Sequence, residues 1–149
     1  MATLAAHVRT PRLPRSTMIA IVDDDEAVRE ALFDLLQVEG LPARTFGSAA
    51  AFLADDGADS FDCLITDVRM PEIDGVELQR QLRAHGSLMS VIFITSLTDE
   101  ATRLRAMLDG ATAWFTKPVA DEALLQALRT VLARNGGREG AASQEPSGT

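Results

Sequence analysis

Five polar side chains stand where four apolar runs end: Asp23 and Asp24 after Met18–Val22, Asp67 after Phe61–Thr66, Thr95 after Ser90–Ile94, and Lys117 after Ala111–Thr116. Carboxylates gathered in one place repel, so a cluster of three disfavours each ionised form unless a cation neutralises it. An all-oxygen donor set without histidine or thiolate selects a hard ion, Mg²⁺ before Ca²⁺ or a transition metal. A hydroxyl and an ammonium beside that ion suit a phosphoryl group, whose three peripheral oxygens can be shared among the metal, Thr95 and Lys117. Asp67 is then left to act as nucleophile. Taken singly, these residues read as turn formers, a helix cap, a strand-terminal hydroxyl and a solvated charge. Their joint placement is what points to chemistry.

The elements that must bring them together follow from periodicity. After the run ending at Val22, the residues Val28, Ala31, Leu32, Leu35 and Leu36 recur at helical spacing, and Gly40 closes that helix. Ala43 to Phe46 reads as a short strand, and Ser48 can cap a helix through Leu53. Phe61–Thr66 is the next strand, followed by the loop VRMPEIDG and a helix from about Gly75 to Arg83, with Asp74 as its cap. Ser90–Ile94 is a strand; Thr98 or Asp99 can cap a helix carrying Ala101, Leu104 and Leu108, stopped by Gly110. Ala111–Thr116 is the last strand, and from about Asp121 the residues Leu124, Leu125, Leu128, Val131 and Leu132 form one stripe. Strands that are apolar throughout are buried on both faces, as in a parallel sheet covered by helices on each side. The reading is α/β: five βα units in a doubly wound parallel sheet, with ligands expected outside the carboxyl ends of the strands near the point where strand order reverses.

The 149 residues, 46% hydrophobic and 24% charged, suit one domain with one core. No run approaches the roughly 18 apolar residues of a membrane span, so no membrane is expected. The single cysteine, Cys63, excludes an internal disulfide framework and a multi-cysteine zinc site, and it suits a cytoplasmic, reducing setting. A net charge of -8 disfavours direct contact with nucleic acid. Residues 1–16 carry Arg9, Arg12 and Arg15 and no acid, and read as a flexible basic leader; residues 135–149, rich in Gly and Ser, read as a flexible tail; residues 17–134 form the domain between them. Lys117 is the one lysine beside thirteen arginines, which singles it out.

The blocks IVDDDEAVREAL, LITDVRMPEIDGVEL, VIFITS and ATAWFTKPV, in this order over residues 17–134, resemble the receiver domain of bacterial two-component response regulators. The resemblance implies a flavodoxin-like (βα)5 fold with strand order 2-1-3-4-5. It implies that Asp67 is the phosphoacceptor, Asp24 a direct Mg²⁺ ligand, Asp23 an acid acting on the metal largely through water, and the main-chain carbonyl of Arg69 the third protein ligand. Thr95 then matches the hydroxyl that turns toward the phosphoryl group, Lys117 the lysine that pairs with it, and Trp114 the switch position usually held by Tyr or Phe. The Lys117-Pro118 bond is similar to one the family holds cis. Asp25 receives no role.

The implied function is that of a response regulator. A phosphoryl group passes from a histidine kinase or histidine phosphotransfer protein to Asp67, in a self-catalysed, Mg²⁺-dependent step followed by autodephosphorylation. The state of the domain then switches contacts with a downstream protein, and a homodimer through the fourth helix, fifth strand and fifth helix is one expected output. Trp114 is bulkier than the usual switch ring, and Arg69 and Leu97 occupy positions that tune the access of water to the acyl phosphate. Two other readings compete: a binding module of the same shape that phosphorylation does not control, and a phosphatase of the haloacid-dehalogenase type. The complete set of five residues opposes the first. Arg69 opposes the second, because such enzymes carry another Asp there. Cys63 reads as an inert buried thiol, His85 as a loop residue, and Met70, Met89 and Met107 as packing. The chain is expected to be a stand-alone receiver or a piece of a longer regulator, the free tail favouring the former.

Overall fold

A computed structural model describes residues 17–148, with side chains through Asn135; the expected leader, residues 1–16, lies outside the described residues. The strands are β1 (Ile19–Val22), β2 (Ala43–Phe46), β3 (Cys63–Thr66), β4 (Ser90–Thr95) and β5 (Ala113–Thr116). They alternate with helices α1 (Glu26–Val38), α2 (Ala49–Leu53), α3 (Gly75–Ala84), α4 (Glu100–Leu108) and α5 (Asp121–Gly148). All pairings are parallel, in the order β2-β1-β3-β4-β5. The backbone of α5 runs past Arg134 into the segment assigned to the tail, whose side chains from residue 136 on lie outside the described ones.

The two faces of the sheet bury different sets. Ile19, Ile21, Cys63, Ile65, Ile92 and Ile94 meet Leu32 and Leu36 of α1 and Leu124, Leu128 and Val131 of α5. Ala20, Val22, Leu64, Val91 and Phe93 meet Phe52 of α2, Leu78 and Leu82 of α3 and Ala106 of α4. The central strands β1, β3 and β4 therefore alternate which helical layer they feed while staying almost wholly apolar, as expected for a doubly wound sheet. Each fully buried large aliphatic or aromatic side chain here contributes about 1.5–3 kcal/mol.

Helix starts are set by short polar side chains. Asp25 accepts from the Ala27 and Val28 amides at the head of α1, Ser48 from Ala51, Asp74 from Glu77 and Asp99 from Ala101. Gly40, Gly86 and Gly110 follow the helix ends with positive φ. Two strands, β3 and β5, begin two residues later than their apolar runs. Phe61 leaves the sheet to pack with Phe46 and Phe52, at 5.9 and 5.7 Å between ring centroids. Ala111 is drawn back to the Ala106 carbonyl at the end of α4. The stripe Ala101, Leu104 and Leu108 does not face the core: Leu104 is 50% and Leu108 85% exposed, and α4 packs through Ala106.

Candidate functional site

The chain turns back at the β1–β3 junction, because β2 lies to one side of β1 and β3, β4 and β5 to the other. In register, Val22 faces Thr66, so the next residues, Asp23 and Asp67, emerge side by side. Thr95 faces Thr116 one strand further on, which sets Lys117 just beyond the end of the sheet. The five residues singled out by the sequence are thus delivered to one end of the sheet by three strand pairings. Asp23, Asp24 and Asp67 each offer a carboxylate oxygen within 4.8 Å of the others.

Lys117 reaches back across the sheet. Its Nζ donates to Asp67 Oδ2 at 2.9 Å and to Asp23 Oδ2 at 3.2 Å. Asp67 Oδ1 accepts from the Val68 amide at 2.6 Å, and Asp23 Oδ1 from the Asp25 amide at 2.9 Å. Asp23 and Asp67 are buried while Asp24 is exposed. Burial, with the neighbouring Asp67 charge adding to it, holds the Asp23 carboxyl above its ordinary range, although the Asp25 amide and Lys117 pull the other way. Burial alone would lower the Lys117 pKa, but the hydrogen bond to Asp67 and the charges of Asp23 and Asp67 outweigh it and keep the ammonium above its usual value. Two acids and one ammonium leave a surplus of negative charge, to which the exposed Asp24 adds. This all-oxygen cluster could hold a metal ion.

The remaining residues take their expected positions. Thr95 is fully buried at the end of β4, its hydroxyl accepting from the Leu97 amide at 3.1 Å. Trp114 is half-buried on β5 with its ring 5.4 Å from that of Phe93. The Lys117-Pro118 bond is cis. Arg69 is exposed and, with Asp24, Met70, Leu97 and Asp99, lines a groove of about 590 Å³ over the site. His85 is exposed at the end of α3, and Cys63 is buried. Sequence reasoning missed Asp25, which both caps α1 and holds Asp23, and Arg29, whose Nη1 donates to the Asp23 carbonyl at 2.8 Å. A third consecutive aspartate at a helix start was the available signal for the first; none pointed to the second.

Residues 19–129 match the family model of the response regulator receiver domain. The chain belongs to the response regulator receiver family. It is 46% identical over 118 residues to the response regulator protein TmoT of Ectopseudomonas mendocina, covering 79% of this chain and 54% of that one. It is 42% identical over 123 residues to the transcriptional regulatory protein FixJ of Azorhizobium caulinodans, covering 83% and 58%. This receiver therefore spans about half the length of these relatives. Among solved structures, the response regulator StyR superposes with a TM-score of 0.77 at 36% identity, over 88% of this chain and 66% of that one. FixJ-N superposes at 0.70 and 35%, over 78% and 93%. The BeF3-activated DrrB receiver domain superposes at 0.71 and 31%, over 78% and 97%. Membership of this family implies phosphorylation-controlled signal transduction of the two-component type. Among the described residues, no helix is long and apolar enough to cross a membrane.

Proposed function

We propose that Asp67 accepts the phosphoryl group. The observation that carries this is the Lys117 ammonium 2.9 Å from Asp67 Oδ2, at the edge of an acid cluster that opens to a groove. The phosphorus–nitrogen bond of a partner's phosphohistidine breaks as the bond from an Asp67 oxygen to phosphorus forms. Charge spreads over the peripheral oxygens in that transition state, so placement of cations and donors supplies most of the catalysis. Lys117 offsets that charge, and Thr95 supplies a hydroxyl from the adjacent strand. Asp23, Asp24, Asp67 and the Arg69 carbonyl are the groups that would hold Mg²⁺, which when bound screens the acids and polarises a phosphoryl oxygen.

Phosphorylation then draws Thr95 toward the new charge, and Trp114 turns into the space beneath β4, changing the face built from α4, β5 and α5. That face carries the output, by contact with a downstream protein or a second copy of this chain. We place the domain in the cytoplasm, out of direct contact with membrane or nucleic acid.

Incubation with Mg²⁺ and acetyl phosphate, followed by intact mass, tests the assignment. One added phosphoryl group is expected, absent in Asp67→Asn and without Mg²⁺. An adduct that persists in Asp67→Asn would reject Asp67 as the acceptor.

A further inference from the structure

Arg29 lies on α1, six residues beyond Asp23, and is half-buried. Its Nη1 donates to the Asp23 main-chain oxygen at 2.8 Å. That oxygen belongs to the planar peptide unit that also contains the Asp24 amide, so the bond fixes the direction in which the chain leaves β1. Asp23 has other restraints: its amide donates to Phe46 O at 3.2 Å, and its carboxylate takes the Asp25 amide and Lys117. Asp24, the exposed member of the acid cluster, follows directly on that peptide unit. Space for the guanidinium comes from Gly47, where a Cβ would sit 3.3 Å from Arg29 Nη1. Gly47 directly follows Phe46, the residue that receives the Asp23 amide, so the guanidinium packs where the ends of β1 and β2 meet.

We infer that Arg29 is a positioning residue, holding the Asp23–Asp24 peptide in the orientation that lets both carboxylates share one divalent cation with Asp67. The inference rests on the metal-site reading above and sharpens it by a sign. A guanidinium bonded to the Asp23 carbonyl brings positive charge to the neighbourhood of the cluster and repels an incoming cation, so if charge were its whole contribution, removing it would tighten metal binding. Positioning requires the opposite.

The test is a MgCl₂ titration of the full, ¹⁵N-labelled chain, following the amide signals of residues 24–26 and Val68, with a thermal melt beside each variant. Arg29→Met keeps the apolar stem and a comparable helix propensity while losing donor and charge. It is expected to weaken Mg²⁺ binding about 10-fold, the lower end of what groups orienting metal ligands contribute, and to shift the Asp24 and Asp25 amides before any metal is added. Arg29→Lys, which retains a charge and a donor, is expected to restore most of the affinity. Gly47→Val leaves Arg29 and its charge in place but crowds the guanidinium, and is expected to weaken binding in the same direction, which keeps the test open if Arg29→Met fails to fold. Mg²⁺ binding that is unchanged or tighter in the folded variants overturns the inference alone. No saturable response in the unaltered chain overturns the metal-site reading and the inference with it.

Discussion

Gly75 lies directly against the main-chain carbonyl of Asp67: a Cβ at position 75 would overlap that oxygen and crowd the Val68 backbone. The Gly75 amide also donates to Val68 O at 2.8 Å, so α3 begins in contact with the backbone of the proposed phosphoacceptor. Because the clash is with main chain, relief must move backbone, either that of Asp67 or the start of α3. Gly75→Ala is expected to lower stability by about 2 kcal/mol, mid-range for overpacking a close-packed interior, and to slow phosphorylation by acetyl phosphate. Urea unfolding and the mass assay check both; native stability together with native rate would refute the contact.

Arg83 closes the far end of α4. Its guanidinium donates to the carbonyls of Asp109, Ser87, Met89 and Gly110 at 2.8, 3.1, 2.9 and 3.3 Å, and the fully buried Gln79 adds a bond to Ala106 O. Asp109 and Gly110 directly follow α4, so the cation meets them at the negative end of that helix, while Ser87 and Met89 lie on the loop between α3 and β4. Arg83→Ala is expected to cost about 2 kcal/mol, as for loss of charge-assisted hydrogen bonds. Hydrogen exchange should quicken at Asp109–Thr112 ahead of β1 and β3. Equal protection in the variant would show that the guanidinium contributes nothing there.

Burial pushes the Cys63 thiol up to about 12 from an ordinary 9.0. The folded chain keeps that proton where the unfolded chain releases it, so the thiol's contribution is intact below pH 9 and declines as pH rises toward the folded value. The limiting slope is about 1.4 kcal/mol per pH unit. Denaturant melts from pH 8 to 10.5 on the native chain and Cys63→Ala should diverge above pH 9, and a thiol reagent at pH 8 should react only on unfolding. Parallel curves would argue against the burial.

Trp114 is the only tryptophan, so emission reports a single ring, one that lies tilted on Phe93 at 5.4 Å. Beryllofluoride with Mg²⁺ is expected to shift that emission to the blue as the half-buried ring moves inward, and Thr95→Val should abolish the shift while leaving the ring in place. An unshifted spectrum at saturating beryllofluoride would remove Trp114 from the switch.

The legible parts of this chain are those where pattern and partner coincide. β1, β3 and β4 announce themselves because a strand buried on both faces must be apolar throughout, and the polar residue ending each run is then at the sheet's edge. α4 was misread because Ala101, Leu104 and Leu108 satisfy a helical period that its actual neighbour does not use. α3 presents Gln79 and Arg83 at that contact, and the small Ala106 fits against them. Arg29 was invisible for another reason: its acceptor is a main-chain oxygen, which no residue type encodes. Asp25 was hidden by its company, since three consecutive aspartates cannot be divided by type into ligand, partner and cap.

Lys117 finds its two acids 94 and 50 residues earlier in the chain. The ammonium arrives only with β5, the last strand made, whereas both aspartates belong to strands already synthesised. A ribosome-bound chain that stops short of residue 117 already holds β1 to β4 and both acids, yet it lacks the group that pairs them. On the proposed chemistry, a half-built domain is deaf to its kinase, and readiness to be phosphorylated doubles as a receipt for a finished sheet.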